Sequence, residues 1–352
     1  MARILHLLPM YPDYQTEMAV SQLRGGDGDG LVFEVRTLGR GGNDSTAVAG
    51  IVALWRQAAP LDLIHAWGER ALAVAAFGGA NRIIYSPTEF PRGRAVRWLR
   101  SIMDYRQVQV ICSTDTMRRA FVQKGVPLDR CHHIRPGVDF GRVNRRRDPA
   151  TRAKLGFGDA DRVLLAVGES TRAADHAQTA WAAVVLHVLD RQNRLLLWGR
   201  GPLAQQTGRF VQRLEQPDLC SIATDRLGSG VTFEQLLSAA DVALVTASGP
   251  VSTLPIAVCM AAAMPIVAVA NSTVSELLED RHNAMLVSSA TPRAVARRVL
   301  DVACDHDLQW KICDTARAEA YEFFSKTRFV RQFRAIYQQF AAGERPSVEH
   351  DA

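Results

Sequence analysis

The stretch Ser248-Gly249-Pro250-Val251-Ser252-Thr253-Leu254-Pro255-Ile256-Ala257-Val258-Cys259-Met260-Ala261-Ala262-Ala263-Met264-Pro265-Ile266-Val267-Ala268 carries the architecture in one passage. Ser252 and Thr253, residue types that cap helices, precede an apolar run of small side chains over 254–264. Pro265 then ends the helical pattern, and 265–269 is apolar at every position. An unbroken apolar strand of this kind belongs in the middle of a parallel sheet, where both of its faces are covered. The uncharged run 254–270 falls short of the ~20 residues a bilayer requires and contains two prolines. A helix followed by a central strand is therefore the expectation.

Outward from this passage the same alternation continues. Short β-branched runs at 3–9, 31–38, 61–67, 82–86, 108–113 and 132–135 are followed by others at 162–167, 194–198, 220–223, 241–246, 265–269 and 284–287, with longer helical patterns between them. Strands alternating with helices predict parallel sheets with crossover helices, and six per half fits two doubly wound domains. Between the halves, Arg142-Val143-Asn144-Arg145-Arg146-Arg147-Asp148-Pro149 is charged, ends in proline and reads as a solvated linker rather than a nucleic-acid patch, since no aromatic residue is interleaved. The Gly- and Asp-rich loop 25–30 lacks the closing glutamate of a calcium loop.

The bulk properties narrow the function classes without choosing one. The 352 residues suit one or two domains, and a hydrophobic content of 47% gives a sizeable core. Net charge is +6, carried by 38 arginines against four lysines, which suits anionic ligands but is spread over the whole chain. The six cysteines show neither metal-ligand nor redox spacing, and buried free thiols in a cytoplasmic protein are expected. No signal peptide is visible, because the apolar start 2–9 is short and reads as a strand.

Several motifs in series then resemble one family. The segments are Val110-Ile111-Cys112-Ser113, Gly125-Val126-Pro127, Ile134-Arg135-Pro136-Gly137-Val138-Asp139, Arg152 to Gly156, Val163 to Gly168, Leu195-Leu196-Leu197-Trp198-Gly199-Arg200-Gly201-Pro202, Leu236 to Val242 and Asn271 to Asp280. Their order and spacing, with the opening stretch, resemble family-4-type (group 1) retaining glycosyltransferases. The resemblance implies an α/β, GT-B-like fold: two Rossmann-like doubly wound domains facing a cleft, with a C-terminal helix returning to the first. The expected domains are an acceptor-side domain at 1–143, a linker at 144–155, a nucleotide-sugar domain at 156–322, a returning helix at 323–342 and a tail at 343–352. It implies a UDP-, GDP- or ADP-sugar as donor substrate, a carbohydrate or lipid-linked acceptor and no cofactor. The residues themselves offer no Asp-x-Asp pair for a metal and no nucleic-acid patch, and the expected location is cytoplasmic, peripheral at most to the inner membrane face.

The same resemblance exposes what this sequence does not keep. Cleaving a sugar–diphosphate bond builds negative charge on the leaving group, which cations or aimed N–H groups must meet. The family's Arg and Lys after the first strand of the nucleotide domain correspond to Glu169 and Ala174, and its two glutamates correspond to Pro250 and Val258. No catalytic residue can be assigned on this basis. The remaining candidates for the nucleotide sugar are Gly199 and Gly201 in a tight turn, Ser252, Thr253 and Leu254 at a helix start, Glu276, and two replacement cations, Arg172 and Arg200. Each also has a plain reading: a turn, an N-cap, a helix first turn, a solvated arginine. His65 is either an acceptor contact at a strand end or a structural histidine.

Residues 94–105 form an amphipathic helix on the helical wheel, gathering Val96, Trp98, Leu99, Ile102, Met103 and Tyr105 on one side and Arg94, Arg97, Arg100 and Asp104 on the other. Packing on the sheet with a solvated basic face explains it. So does attraction to an anionic membrane surface or a lipid-linked acceptor. For the whole chain three functions stay open: a divergent glycosyltransferase, a catalytically silent relative that binds a nucleotide, a sugar or a partner protein, and an unrelated two-domain α/β protein.

Overall fold

The computed structural model describes residues 2–25, 30–39, 49, 51–54, 61–216 and 218–344. Most of the loop 25–30 and of the tail 343–352 lies outside them. The chain divides into two compact units, Met1–Gly137 with Lys326–Ala352, and Val138–Ser325.

The first unit holds a six-stranded sheet of β1 Ala2–Leu8, β2 Leu31–Thr37, β3 Leu63–Trp67, β4 Arg82–Ser86, β5 Gln107–Cys112 and β6 Cys131–His133. Its order is β2-β1-β3-β4-β5-β6, with every pairing parallel. The second holds β7 Arg162–Ala166, β8 Asn193–Leu197, β9 Cys220–Ile222, β10 Val242–Val245, β11 Ile266–Val269 and β12 Met285–Val287, ordered β12-β11-β10-β7-β8-β9 and again wholly parallel. All twelve strands lie where the alternation predicts them, to within two residues at each end. β11 is buried at each of its four residues and is flanked by β10 and β12, as an apolar strand requires.

The last helix, Lys326–Ala341, belongs to the first unit. Phe329, Phe333, Ile336, Tyr337 and Phe340 repeat at helical spacing and pack with Ile4, Leu63, Trp67, Ile84 and Ile111 on one face of the sheet. A buried polar line fixes this packing. His65 Nδ1 lies 2.6 Å from the Tyr337 hydroxyl and Nε2 lies 2.8 Å from Ser86 Oγ. The His65 ring stacks on Trp67 at 4.1 Å, and Trp67 donates its indole N–H to His6 Nδ1 at 3.2 Å. His65 is fully buried and satisfied at both nitrogens, so its role is structural.

The segment expected as a linker is instead built into the second unit. Val138 donates to the Phe324 carbonyl at 2.7 Å and Phe140 stacks on Tyr321 at 4.1 Å, which ties 138–140 to the end of the preceding helix, His306–Phe323. The chain therefore changes unit at 137/138 and 325/326 rather than at 143 and 322. Arg145 bonds the Ala263 carbonyl, and Pro149–Leu155 is a helix capped by Asp148. Arg152, only 1% exposed, reaches the carbonyls of Ala239, Gly158 and Asp161 and the carboxylate of Asp241. Charge alone suggested solvent. A guanidinium has five donors, and a ring of carbonyls can bury it.

Candidate functional site

In a doubly wound sheet, the crevice that accepts ligands opens at the carboxyl ends of two neighbouring strands whose connections run to opposite sides. In the second unit that point falls between β7, which continues to β8 and β9, and β10, which continues to β11 and β12. Four loops meet along this edge: 167–175 after β7, 198–203 after β8, 246–253 after β10 and 270–273 after β11.

Hydrogen bonds stitch these loops together. Ser170 donates its N–H to the Arg200 carbonyl at 2.7 Å, and Leu203 donates to the Ser170 carbonyl at 2.9 Å. Ser248 donates to the Ala173 carbonyl at 2.9 Å. Asn271 donates to the Ala247 carbonyl at 3.0 Å and accepts from the N–H groups of Thr273 and Val274, both at 3.0 Å. Beneath them, Thr246 Oγ1 pairs with Thr179 Oγ1 at 2.6 Å and donates to the Asp175 carbonyl at 3.1 Å. His176 pairs through Nδ1 with Ser170 Oγ at 3.0 Å and through Nε2 with the Val167 carbonyl at 3.3 Å. Burial lowers its pKa to about 4, so at neutral pH the ring is uncharged and donates from Nε2.

The two glycines of the candidate turn are required by contact. Gly199 has φ +88°, and a Cβ there would stand 2.1 Å from Thr224 Oγ1. Gly201 has φ +106°, and a Cβ would stand 2.7 Å from both the backbone N and O of Ser170. Neither position accepts another residue: at Gly199 the loop after β8 presses on Ile222 and Thr224 at the end of β9, and at Gly201 it presses on the loop after β7.

The charges are arranged less simply than the sequence suggests. Arg200 does not face the edge alone: its Nε lies 3.5 Å from the Glu169 carboxylate and its guanidinium sits over Trp198 at 5.0 Å. Arg172 is exposed and, among the described residues, has no ion-pair or hydrogen-bond partner for its side chain. It is the cation on this edge that remains available. Ala174 is buried beneath the loop and Pro250 is exposed.

The opening stretch forms the helix Leu254–Ala261, all eight residues of it buried. Its amino end points its partial positive charge at the strand ends. Thr253 precedes the helix with αR backbone angles, and its side chain does not cap it, so the plain N-cap reading fails at that residue. Ser252 is half-buried beside it. Gly168 has φ +82°, and a Cβ there would meet the Pro255 ring at 3.5 Å. Val258 is 2% exposed, and the neighbouring Cys259 thiol is pushed up to about 12 by burial, so this helix lies in a dry environment. Glu276, half-buried, ends the short turn Val274–Glu276 that follows β11.

The structure thus gathers Gly199, Gly201, Arg172, Arg200, Ser252 and Thr253 on the loops that leave four neighbouring strands, with Leu254 and Glu276 on the helix and the short turn that follow two of them. Sequence reading missed Ser170, His176, Thr179, Thr246 and Asn271, which hold these loops. Only the strand order, absent from any local motif, brings them together. Among the described residues, no group of three or more His, Cys, Asp or Glu side chains is placed to hold a metal, and no helix is long and apolar enough to cross a membrane.

Residues 161–305 match the sequence profile of the family described as Glycosyl transferases group 1. Among solved structures, HepE of Anabaena, crystallised in complex with UDP and glucose, aligns with a TM-score of 0.76 at 18% identity, over 96% of this chain and 100% of that one. Sucrose-phosphate synthase from Thermosynechococcus elongatus aligns with a TM-score of 0.78 at 14% identity, over 98% and 100%. WaaG, a glycosyltransferase involved in lipopolysaccharide biosynthesis, aligns with a TM-score of 0.68 at 14% identity, over 93% and 98%. At such identities the likeness is one of fold. No curated protein matches the chain by sequence at a significant level.

Proposed function

We propose, from the premise that residues 161–305 form a group 1 glycosyl transferase domain on a GT-B scaffold, that this protein takes a nucleoside-diphosphate sugar at the β7/β10 edge. The observation that carries this reading is the unpartnered Arg172 guanidinium on the loop after β7, set at the switch point with the positive end of the helix Leu254–Ala261. Arg172 is the residue assigned to the diphosphate. The Gly199–Gly201 turn lets backbone approach it, and Glu276, on the short turn after β11, is the residue assigned to the sugar. UDP is the first nucleotide to test, since HepE was solved with UDP. Transfer, with retention, would pass the sugar to a carbohydrate or lipid-linked acceptor.

A second reading has its own support. The Glu169–Arg200 ion pair places a carboxylate where the resemblance implies a cation, and Val258 is packed where it implies a glutamate. A leaving diphosphate would meet less positive charge here, and losing one such donor costs about 3 kcal/mol, a hundredfold or more in rate. On this reading the protein binds the nucleotide sugar and does not transfer it.

Calorimetric titration with UDP, GDP and ADP, paired with a labelled-donor transfer assay, separates the two. Arg172→Ala is expected to weaken diphosphate binding by roughly tenfold and to flatten its dependence on salt. Glu169→Arg is expected to strengthen binding, because it removes a like charge and frees Arg200. Binding without transfer supports the silent reading. If wild type binds none of the three and Glu169→Arg changes nothing, the nucleotide site is gone and both readings fail.

A further inference from the structure

The helix His176–Leu189 of the second unit holds no Asp, Glu, Lys or Arg along its 14 residues. Ala180, Ala183 and Leu186 turn inward to the core under the sheet. The outward side is apolar as well. Trp181 is 44% exposed, Val188 66% and Leu189 67%, with Val184 and Val185 half-buried between them. Ala177, Trp181, Val184 and Val188 follow the four-three-four spacing of a coiled-coil seam. Phe210, on the helix Ala204–Gln212, widens this ridge, its ring 6.0 Å from Trp181. A helix that is apolar all round belongs in an interior, and here one side of it meets solvent.

The helix Pro292–Cys304 packs alongside, its Val295 and Val299 sharing the same core. Each helix starts at the carboxyl end of a parallel strand and returns across the sheet, so the two run in the same sense. On the solvent side of the second helix the charges are sorted by sign. Arg293 and Arg297 stand in its amino-terminal half, exposed and, among the described residues, without a partner for their side chains. Asp301 opens its last turn, beside Arg298, and Asp305 follows its end. A helix by itself favours acids at its start and bases at its end. This order is the reverse, so helix stability does not account for it.

We propose that these two helices dock on their counterparts in a second copy of this chain, antiparallel, about a two-fold axis across their midpoints. A surface that meets itself must match itself under that rotation. The apolar ridge does so, with Trp181 of one copy near Val188 of the other. The charges do so as well, with Arg297 of one copy opposite Asp301 of the other; a parallel pairing of this helix with its copy would set like charges face to face. The helices are 14 and 13 residues long, so one axis serves both. A layer two helices wide and about 21 Å long offers roughly 400 Å² per copy. That lies at the low end of specific interfaces and suits a reversible dimer with a Kd on the order of 10 µM. This pairing holds whether or not the β7/β10 edge takes a nucleotide sugar.

The test is sedimentation velocity of the full chain from about 1 to about 300 µM, where one monomer–dimer step is expected. Val188→Lys with Leu189→Gln should weaken the dimer at least tenfold, since it puts a charge into the apolar seam. Arg297→Glu alone and Asp301→Lys alone should each weaken it several-fold, and the two together should restore it, because the swapped charges again face their opposites across the axis. All four positions are at the surface, and an unchanged thermal melt at low concentration shows that each variant folds. A monomer at every concentration overturns the proposal and leaves the ridge to a protein of another kind. A dimer unmoved by the Val188 and Leu189 changes overturns it too, as does a double charge swap weaker than either single one. Association that runs past the dimer overturns it as well, since a two-fold contact closes on itself.

Discussion

Val258→Glu is expected to destabilise the second unit by about 3 kcal/mol or more and to drive much of the protein into the insoluble fraction. Val258 is 2% exposed, on a helix with every residue buried, beside a cysteine whose thiol is itself held protonated by burial. A carboxyl placed there has no water and no partner. It stays neutral at the cost of a raised pKa, and the sign of the effect follows. Below the ordinary glutamate pKa of about 4.3 the folded and unfolded chains are both protonated, and the penalty is steric and polar only. Above it the unfolded chain ionises first, so the loss grows by about 1.4 kcal/mol for each pH unit until the buried group titrates. Val258→Gln should show a loss that does not vary with pH. Urea unfolding of both variants between about pH 5 and 8 distinguishes them. A Val258→Glu protein as stable as wild type would mean that the position reaches water or a cation, and the packed description of this helix would be wrong.

Acid should begin to destabilise the protein below about pH 6.5, before most of its carboxylates titrate. Three histidines are buried as neutral rings: burial brings His6 to about 3 and His176 to about 4, and holds His65 well below 6.5, with the neighbouring His6 adding to the effect on His65. The folded pKa values lie below the unfolded one, so their full stabilisation is present above pH 6.5 and is lost as pH falls toward 4 and 3. Each costs about 1.4 kcal/mol per pH unit in that window, because only the unfolded chain takes up the proton. By about pH 4.5 the three together remove on the order of 5 kcal/mol or more, a large part of a typical domain's stability. Urea unfolding followed by far-ultraviolet circular dichroism at about pH 7.5, 6 and 4.5 measures it. A stability that is flat between pH 7.5 and 5 would show that these rings reach solvent or gain a carboxylate partner.

The strands were legible because their signal is local. Apolar runs such as 162–167 and 265–269 bury both faces wherever the sheet places them, and glycine or proline marks their ends. The helix 254–261 was legible for the same reason. Side-chain roles were not, wherever they depend on strand order. Nothing near Glu169 in sequence shows that Arg200, on another loop, will neutralise it, because that pairing requires β7 and β8 to be neighbours. Nothing beside Arg152 in the sequence shows that it is buried, because two of its partners, Ala239 and Asp241, lie far along the chain. Tyr105 was misplaced in direction: at about 100° per residue it falls roughly 20° from Arg94 and nearly opposite Val96 and Met103, so its place on the outer face follows from helical spacing and not from the sheet.

The helix Lys326–Ala341 has one more implication, for the order of events at the ribosome. The first unit is first to emerge, yet one face of its sheet is covered by Phe329, Phe333, Ile336, Tyr337 and Phe340, which are made last. At ~5–20 residues per second, the second unit takes roughly ten seconds or more to be synthesised in between. Through that interval His65 has no Tyr337 and the apolar face that includes Ile4, Leu63 and Ile111 has no lid. The unit begun first is thus finished last, and during translation its half-covered sheet is the surface a chaperone would meet.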